Sequence, residues 1–187
     1  MGLSSLLQRL LFVNQFNVID GKIEVLGNRY IMLDASDILV LQDIDKTKTY
    51  STAKDMSKNN LKNLVEHASV YKGMKDQSMK NIAELSKKIG KTDDGVIKTL
   101  QSLFEIYGLG KLEIMNLDND KKQVILRIKG SSLGLAQLDK QKSKTTVCTL
   151  TSGVLAGIFS YIFKKDVDCV ENKCIAKGDE VCEFLIK

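Results

Sequence analysis

The 187-residue sequence contains no proline, no tryptophan and a single histidine, His67. A lone histidine on a predicted helix is more often a structural residue than a general base, and no Ser–His–Asp group is predicted around it. Only 6% of the residues are aromatic, which disfavours a platform on which single-stranded nucleic acid would stack. The sequence therefore offers no predicted catalytic residue.

Long hydrophobic runs are also missing. The longest apolar stretch, from Thr149 to Phe163, is interrupted by Ser, Thr and Gly and is shorter than the roughly 18 residues of a membrane span. The N-terminus has an amphipathic leucine run without the basic leader and cleavage site of a signal peptide, which predicts a cytoplasmic protein. No Gly-x-Gly-x-x-Gly sequence follows a predicted strand, so a dinucleotide-dependent enzyme is not favoured.

What is present is the composition of one globular domain, with 43% hydrophobic residues, 27% charged residues and a net charge of +5. A chain of this length buries enough apolar surface to fold without disulfides. We predict a single domain over residues 1–187, with a helix-rich part at 1–107 and a second part at 108–187. Basic residues alternate with acidic ones along predicted helices, a pattern typical of a solvated surface that permits nucleic acid binding without requiring it.

Changes in hydrophobic periodicity predict a chain of mixed helices and strands. Helices are predicted over residues 3–13, 36–44, 49–71, 82–89, 93–107 and 146–164. Strands are predicted over residues 16–18, 23–25, 30–33, 111–116, 123–129, 167–171 and 180–186. Residues 130–147 show neither period, so no element is predicted there.

Four cysteines, Cys148, Cys169, Cys174 and Cys182, are concentrated near the C-terminus. In an intracellular chain such a cluster favours a metal site over disulfides, and structural zinc takes four tetrahedral ligands from Cys, His or carboxylate side chains. Cys169 is one candidate for the fourth ligand because a thiolate suits zinc. Glu171, two residues later on the same strand face, is the other candidate. The spacing also fits buried free thiols or a disulfide.

The segment from Val147 to the C-terminus resembles the 4-vinyl reductase domain, a ligand-binding module related to TRAPP transport subunits and to heme nitric-oxide sensors. The resemblance rests on a cysteine before a glycine-rich helix, a Glu-x-x-Cys motif, and a Gly-Asp pair followed by Cys-x-Phe. The residues that carry it are Cys148, Gly153, Gly157, Glu171, Cys174, Gly178, Asp179, Cys182 and Phe184. The similarity extends more loosely back to about Gly108.

The resemblance implies an α/β (α+β) fold in which an antiparallel sheet packs against helices, as in TRAPP subunits, and it implies a homodimer. It also implies a structural zinc on Cys148, Glu171, Cys174 and Cys182, which favours Glu171 over Cys169. An apolar pocket for a hydrophobic or aromatic small molecule is implied as well. Its candidate residues are Leu150, Val154, Leu155, Ile158 and Phe159. The predicted function is hydrocarbon binding or small-molecule sensing by a zinc-containing regulatory protein rather than catalysis.

Two other function classes fit parts of the sequence. Residues 81–129 have the order helix, turn, helix and two strands of a winged helix-turn-helix, which indicates a DNA-binding transcription regulator. Against this, the second helix begins with Asp93 and Asp94, where DNA-reading helices present basic or small polar side chains. The other alternative, brought by the resemblance, is an enzyme or accessory factor of tetrapyrrole chemistry.

Overall fold

The computed structural model describes residues 17–19, 22–25, 28–67 and 93–187 of the chain. Its strands are β1 (Asn17–Ile19), β2 (Lys22–Val25), β3 (Asn28–Tyr30), β4 (Lys111–Asp118), β5 (Gln123–Lys129), β6 (Cys169–Lys173) and β7 (Cys182–Ile186). Its helices are α1 (Ala35–Ile44), α2 (Lys46–His67), α3 (Asp93–Ile106), α4 (Ser132–Lys140) and α5 (Thr149–Phe163), with a 3-10 turn at Ile175–Lys177. The helices predicted at 3–13 and 82–89 lie outside the described residues. Within the described ranges, no helix has the length and apolar character needed to cross a bilayer.

The larger sheet is antiparallel, with the strand order β4-β5-β7-β6. Successive side chains of a strand point to opposite faces, and along β5 this places Val124, Leu126 and Ile128 on the buried face. Strand β7 alternates in the same way and pairs with β5 so that Phe184 lies opposite Leu126. One face of the sheet is therefore apolar and forms a wall of the core. A second antiparallel sheet consists of the short strands β1, β2 and β3.

The other face of the larger sheet carries charges that alternate in sign from strand to strand. Glu113 on β4 lies opposite Arg127 on β5. The Nε of Arg127 donates to the Oε2 of Glu183 on β7 at 2.8 Å, and Lys173 on β6 places its Nζ 3.6 Å from the same oxygen. Opposite charges across neighbouring strands favour this pairing of the strands. The alternation is typical of a sheet face that contacts water.

Helix α5 packs against β6 and β7 on one side and along α2 on another. The contact with α2 depends on Gly153 and Gly157, which lie one turn apart on the same side of α5. A Cβ atom at Gly153 would lie 2.5 Å from the carbonyl oxygen of Tyr50, and one at Gly157 would collide with the carbonyl oxygen of Lys54. The two helix backbones are therefore in direct contact along a glycine seam, which we define as Gly153 and Gly157 of α5 against Tyr50 and Lys54 of α2.

Helix α1 begins after Asp34, whose carboxylate accepts a hydrogen bond from the Ser36 N–H at 2.8 Å. The inner side of α1 buries Leu39 and Gln42. Its outer side and the residues before it are apolar and exposed, reaching 84% exposure at Ile31. We call this the α1 apolar surface, and it consists of Ile31, Met32, Leu33, Val40, Leu41 and Ile44. An exposed apolar patch of this kind commonly marks an interaction site.

The predicted α+β fold, with an antiparallel sheet packed against helices, is confirmed. Two local predictions are wrong. The strand predicted at 30–33 ends at Tyr30, because Tyr30 pairs with Ile23 near the start of the four-residue strand β2 and little of β2 remains for pairing. Residues 132–140, where no element is predicted, form α4; this helix is short and contains Gly134, and its Leu135 is exposed, so its apolar spacing is irregular.

Candidate metal centre

Cys148 is fully buried and is the N-cap residue of α5. Its Sγ lies 3.5 Å from the hydroxyl of Ser131, the residue that caps α4. Its side chain does not cap α5, and other residues accept from the first N–H groups of the helix. The Oε2 of Glu171 accepts from the Cys148 N–H at 2.9 Å, and the Oε1 of Gln42 accepts from the Leu150 N–H at 3.2 Å. The position at a helix N-terminus favours negative charge on the sulfur.

Cys174 and Cys182 come from the β6–β7 hairpin. Between them, Gly178 has a φ of 96°, a left-handed conformation that glycine adopts without strain. The Oδ2 of Asp179 accepts from the Cys174 N–H at 2.8 Å, and the Ile175 N–H donates to the Sγ of Cys182 at 3.4 Å. These contacts close the turn so that the two cysteines face each other, 3.9 Å apart at their sulfurs.

The hairpin and the start of α5 together form a cluster of four potential ligands, Cys148, Glu171, Cys174 and Cys182, whose ligand atoms all lie within 4.8 Å of one another. The sulfurs of Cys148 and Cys182 are 3.8 Å apart. A tetrahedral zinc ion with Zn–S bonds of about 2.3 Å separates its ligand sulfurs by about 3.8 Å. The observed separations therefore match the edges of a tetrahedral site, and the four side chains can hold a metal ion.

The carboxylate of Glu171 completes the cluster. Its Oε1 is buried and has no hydrogen-bond partner, while its Oε2 is bonded to the Cys148 N–H. Burial raises the pKa of Glu171 to about 7. A buried oxygen without a partner is costly, and a cation at the centre of the cluster would satisfy it. The residues present therefore fit a divalent ion that accepts thiolate and carboxylate ligands.

Hydrogen bonds among the sulfurs separate the pKa values of the thiols. Donation from Cys148, and then from Cys182, lowers the pKa of Cys174. The same contact with Cys174, followed by the contact with Cys182 and burial, raises the pKa of Cys148. One sulfur in the cluster is thus stabilised as a thiolate by its neighbours, which is the form that binds metals.

Cys169, the competing candidate from the sequence, lies outside this cluster. It is buried at the start of β6, and burial raises the pKa of its thiol. Its backbone N–H donates to the hydroxyl of Tyr50 on α2. The structure therefore brings Glu171, rather than Cys169, to the three other cysteines.

The five pocket candidates do not share one environment. Leu155 and Phe159 are fully buried in the core. The other three are half-buried and pack against the edge of the core. These three lie four residues apart along α5, so they form one line that we call the α5 stripe, made of Leu150, Val154 and Ile158. The α5 stripe is the part of the candidate set that lies at the protein surface.

Other sequence-predicted candidates have simpler surroundings. The carboxylate of Asp118 accepts from the N–H groups of Asp120 and Lys121 in the β4–β5 turn, as the sequence predicts. In the winged-helix alternative, β4 and β5 would form the wing; here β5 also pairs with β7, so both strands belong to the larger sheet. His67 is the last residue of α2. Nothing in the structure tests the predicted binding of nucleic acid.

Three residues at the centre are missed by the sequence analysis. Ser131 contacts the Cys148 sulfur, and Gly134 lies so close to Cys182 that an added Cβ would be 3.2 Å from its Sγ. Gln42 bonds the backbone on both sides of Cys148. The signal available in the sequence for Gln42 is a single amide within the apolar run Ile38–Leu41 and before Ile44.

Comparison with known proteins identifies the part of the chain that holds the cluster. Residues 138–187 match the family model of the 4-vinyl reductase domain. An uncharacterized protein of Methanocaldococcus jannaschii is 29% identical over 94 residues, which cover 50% of this chain and 51% of that protein. A second uncharacterized protein of the same organism is 25% identical over 171 residues, covering 84% of this chain and 90% of that protein. The chain thus spans about half the length of the first relative and most of the second.

Among solved structures, the phenol-responsive sensory domain of the transcription activator PoxR, with phenol, has a similar fold, with a TM-score of 0.64 and 19% sequence identity. The similarity covers 98% of this chain and 87% of that domain. All four candidate ligands lie inside the matched residues 138–187. The resemblance inferred from the sequence is confirmed, and residues 138–187 of this chain belong to the 4-vinyl reductase domain family.

Proposed function

We propose that this protein holds a structural zinc ion on Cys148, Glu171, Cys174 and Cys182. The observation that carries the proposal is the Oε1 of Glu171, buried without a hydrogen-bond partner beside three sulfurs spaced as tetrahedral ligands. Three thiolates and one carboxylate fill the four positions of zinc and leave none open for substrate. Closed coordination of this kind is typical of structural rather than catalytic zinc.

A bound zinc ion would cross-link the start of α5 to the β6–β7 hairpin. Cys148 and Cys182 are 34 positions apart in the sequence. The chain's own residues prepare this cross-link, because Glu171 binds the Cys148 N–H and Asp179 binds the Cys174 N–H. Since a site of this kind does not exist in the unfolded chain, the free energy of metal binding would add to the stability of the fold.

We further propose that the domain binds a hydrophobic or aromatic small molecule and acts as a sensor rather than an enzyme. The family match and the shared fold with a phenol-responsive sensory domain support this proposal. Ligand pockets are mostly apolar, and the half-buried α5 stripe is the apolar surface closest in sequence to the metal centre. In this proposal, the zinc ion fixes one end of α5 and the ligand contacts its middle.

The α1 apolar surface supports the proposal of a homodimer. Its six side chains are each more than half exposed, and burying them would remove roughly 400 Å² of apolar area per copy. A standard interface takes about 800 Å² from each partner, roughly half of it apolar, so this surface supplies the apolar core of such an interface. The acids around it are engaged within the chain, since Asp34 and Asp45 accept from helix N–H groups and Asp43 pairs with Lys46 at 3.1 Å.

Native mass spectrometry of the full chain, purified under reducing conditions without added metal, tests these proposals together. We expect a dimer with one zinc ion per chain and, where a ligand is retained, an additional small mass that organic solvent releases. Purified protein that contains no metal and takes up none from a stoichiometric zinc solution would contradict the metal proposal. A monomeric mass at all concentrations would contradict the dimer and leave the zinc result unaffected.

A further inference from the structure

Gln42 is a buried polar side chain on α1, only 2% exposed. Its Nε2 donates to the carbonyl oxygen of Val147 at 2.5 Å, and its Oε1 accepts from the N–H of Leu150 at 3.2 Å. A buried amide is costly unless its donors and acceptor are satisfied. Here both ends of the amide are bonded to backbone more than 100 positions away in the sequence.

The two backbone groups that Gln42 binds lie on either side of Cys148. One is the carbonyl just before it and the other is an N–H in the first turn of α5. Cys148 makes no cap hydrogen bond with its own side chain, so its sulfur is free to face Cys182 at 3.8 Å. In most helices the N-cap side chain accepts from the N2 or N3 N–H. Gln42 performs that task for α5 in place of Cys148.

From this geometry we infer that Gln42 is a positioning residue of the metal centre: it fixes the backbone around Cys148 so that the sulfur points at the other ligands. The inference rests on the metal binding proposed above. Glu171 holds the Cys148 N–H and is itself a candidate ligand, so Gln42 is a support for this end of the site that takes no part in coordination. Groups that orient metal ligands change metal affinity by about 10- to 100-fold when they are removed.

A purely structural role for Gln42 would be that of a pin between α1 and α5. Ser160 provides the matched comparison, because its buried hydroxyl donates to the Val167 carbonyl at 3.3 Å and accepts from the Val167 N–H at 3.1 Å. Ser160 is also 2% exposed and lies near the opposite end of α5. Removing either side chain's polar group costs stability, but only Gln42 adjoins a candidate ligand.

The test compares Gln42→Met, Gln42→Glu and Ser160→Ala in the full chain. Zinc affinity is measured by competition with a chromophoric chelator, and the site geometry is measured by the absorption bands of the Co²⁺-loaded protein. We expect Gln42→Met to weaken zinc binding at least tenfold and to alter the cobalt spectrum. We expect Gln42→Glu, which keeps an oxygen for the Leu150 N–H, to lose less affinity, and Ser160→Ala to bind zinc as the wild type does.

Each outcome decides between the explanations. Wild-type zinc affinity and an unchanged cobalt spectrum in Gln42→Met would overturn the inference while leaving the metal site intact. An equal loss of affinity in Gln42→Met and Ser160→Ala would reduce Gln42 to a structural pin. If Gln42→Met does not fold, the same comparison is made with Gln42→Glu, and wild-type affinity in that variant together with a wild-type spectrum overturns the inference. A wild-type chain that binds neither ion contradicts the metal proposal itself.

Discussion

The hydroxyl of Tyr50 on α2 accepts a hydrogen bond from the backbone N–H of Cys169 at 2.8 Å, across 119 positions of sequence. The same hydroxyl donates to the Oδ1 of Asp168 at 3.1 Å. Burial raises the pKa of Tyr50 to about 12, so the hydroxyl stays protonated at neutral pH. This contact fixes α2 to the start of β6, the strand that carries Glu171 two residues later.

Replacing Tyr50 by Phe should lower the free energy of unfolding by about 1–3 kcal/mol, because the Cys169 N–H would lose its partner inside the protein. Ser51→Ala, on the exposed side of the same helix, is the control and should stay within about 0.5 kcal/mol of the wild type. Urea denaturation followed by circular dichroism measures both. Equal stabilities for the two variants would show that the contact contributes nothing.

The glycine seam predicts a strong effect of a single methyl group. In Gly157→Ala, the Cβ would collide with the Lys54 carbonyl oxygen and the Ser57 hydroxyl, which forces α5 away from α2. Overpacking of this kind costs typically about 1–3 kcal/mol. Asn59→Ala, exposed on α2, is the control and should not destabilise the fold. A wild-type melting temperature for Gly157→Ala would show that the helices do not meet as described.

The ion pair between Lys54 and Asp168 predicts a small dependence of stability on pH. The Lys54 Nζ donates to the Asp168 Oδ1 at 2.8 Å, and this bond lowers the pKa of Asp168 below its ordinary value of 3.8. A carboxylate with a lowered pKa stabilises the fold above its ordinary pKa, and that contribution disappears as acid protonates it. Asp168 is mostly exposed, so we expect Asp168→Asn to cost no more than about 1 kcal/mol at pH 7.

The matching experiment compares the wild type with Asp168→Asn in urea at pH 7 and again well below the ordinary Asp pKa. The difference in unfolding free energy should shrink in acid, where both side chains are neutral. A difference that keeps its size at both pH values would assign it to lost packing rather than to charge.

The metal proposal predicts different results for two neighbouring cysteines. Cys174→Ser removes a ligand and should abolish stoichiometric zinc binding and lower the melting temperature of the purified protein. Cys169→Ser changes a buried cysteine outside the cluster and should retain one zinc per chain. Elemental analysis and differential scanning calorimetry give both readouts. Zinc loss in Cys169→Ser with retention in Cys174→Ser would show that the ligand set is wrong.

The dimer proposal predicts an effect confined to the α1 apolar surface. Leu41→Glu should convert a dimer to a monomer in analytical ultracentrifugation, because a charge cannot be buried unpaired in an apolar interface. Val170→Glu, which changes an exposed apolar residue on the sheet, is the control and should stay dimeric. Two dimeric variants would place the interface elsewhere on the molecule.

Sequence reasoning reaches the parts of this fold that depend on local pattern. The alternation Val124, Leu126, Ile128 indicates a strand with one buried face, and the apolar run at 149–163 indicates a buried helix; both are found. The four ligands come from motif resemblance, since spacing alone leaves Cys169 and Glu171 as equal candidates.

The remaining features depend on contacts between distant segments, which a local pattern does not contain. The role of Gln42 exists only because α1 packs against the start of α5, more than 100 residues later. Likewise, Gly153 and Gly157 read as ordinary small residues until α2 is placed against them. The end of β3 at Tyr30 is set by the length of its partner β2, which the residues after Tyr30 do not reveal.

The glycine seam also limits where the protein can change shape. Side chains adapt to a guest by changing rotamer, but a contact made of backbone atoms has no rotamers to change. The helices α2 and α5 must therefore shift as one rigid pair, and any volume gained for a guest molecule must come from the α5 stripe or from the core beside it. A ligand-binding domain built in this way would respond to ligand size by repacking one side of α5 while the opposite side keeps its geometry.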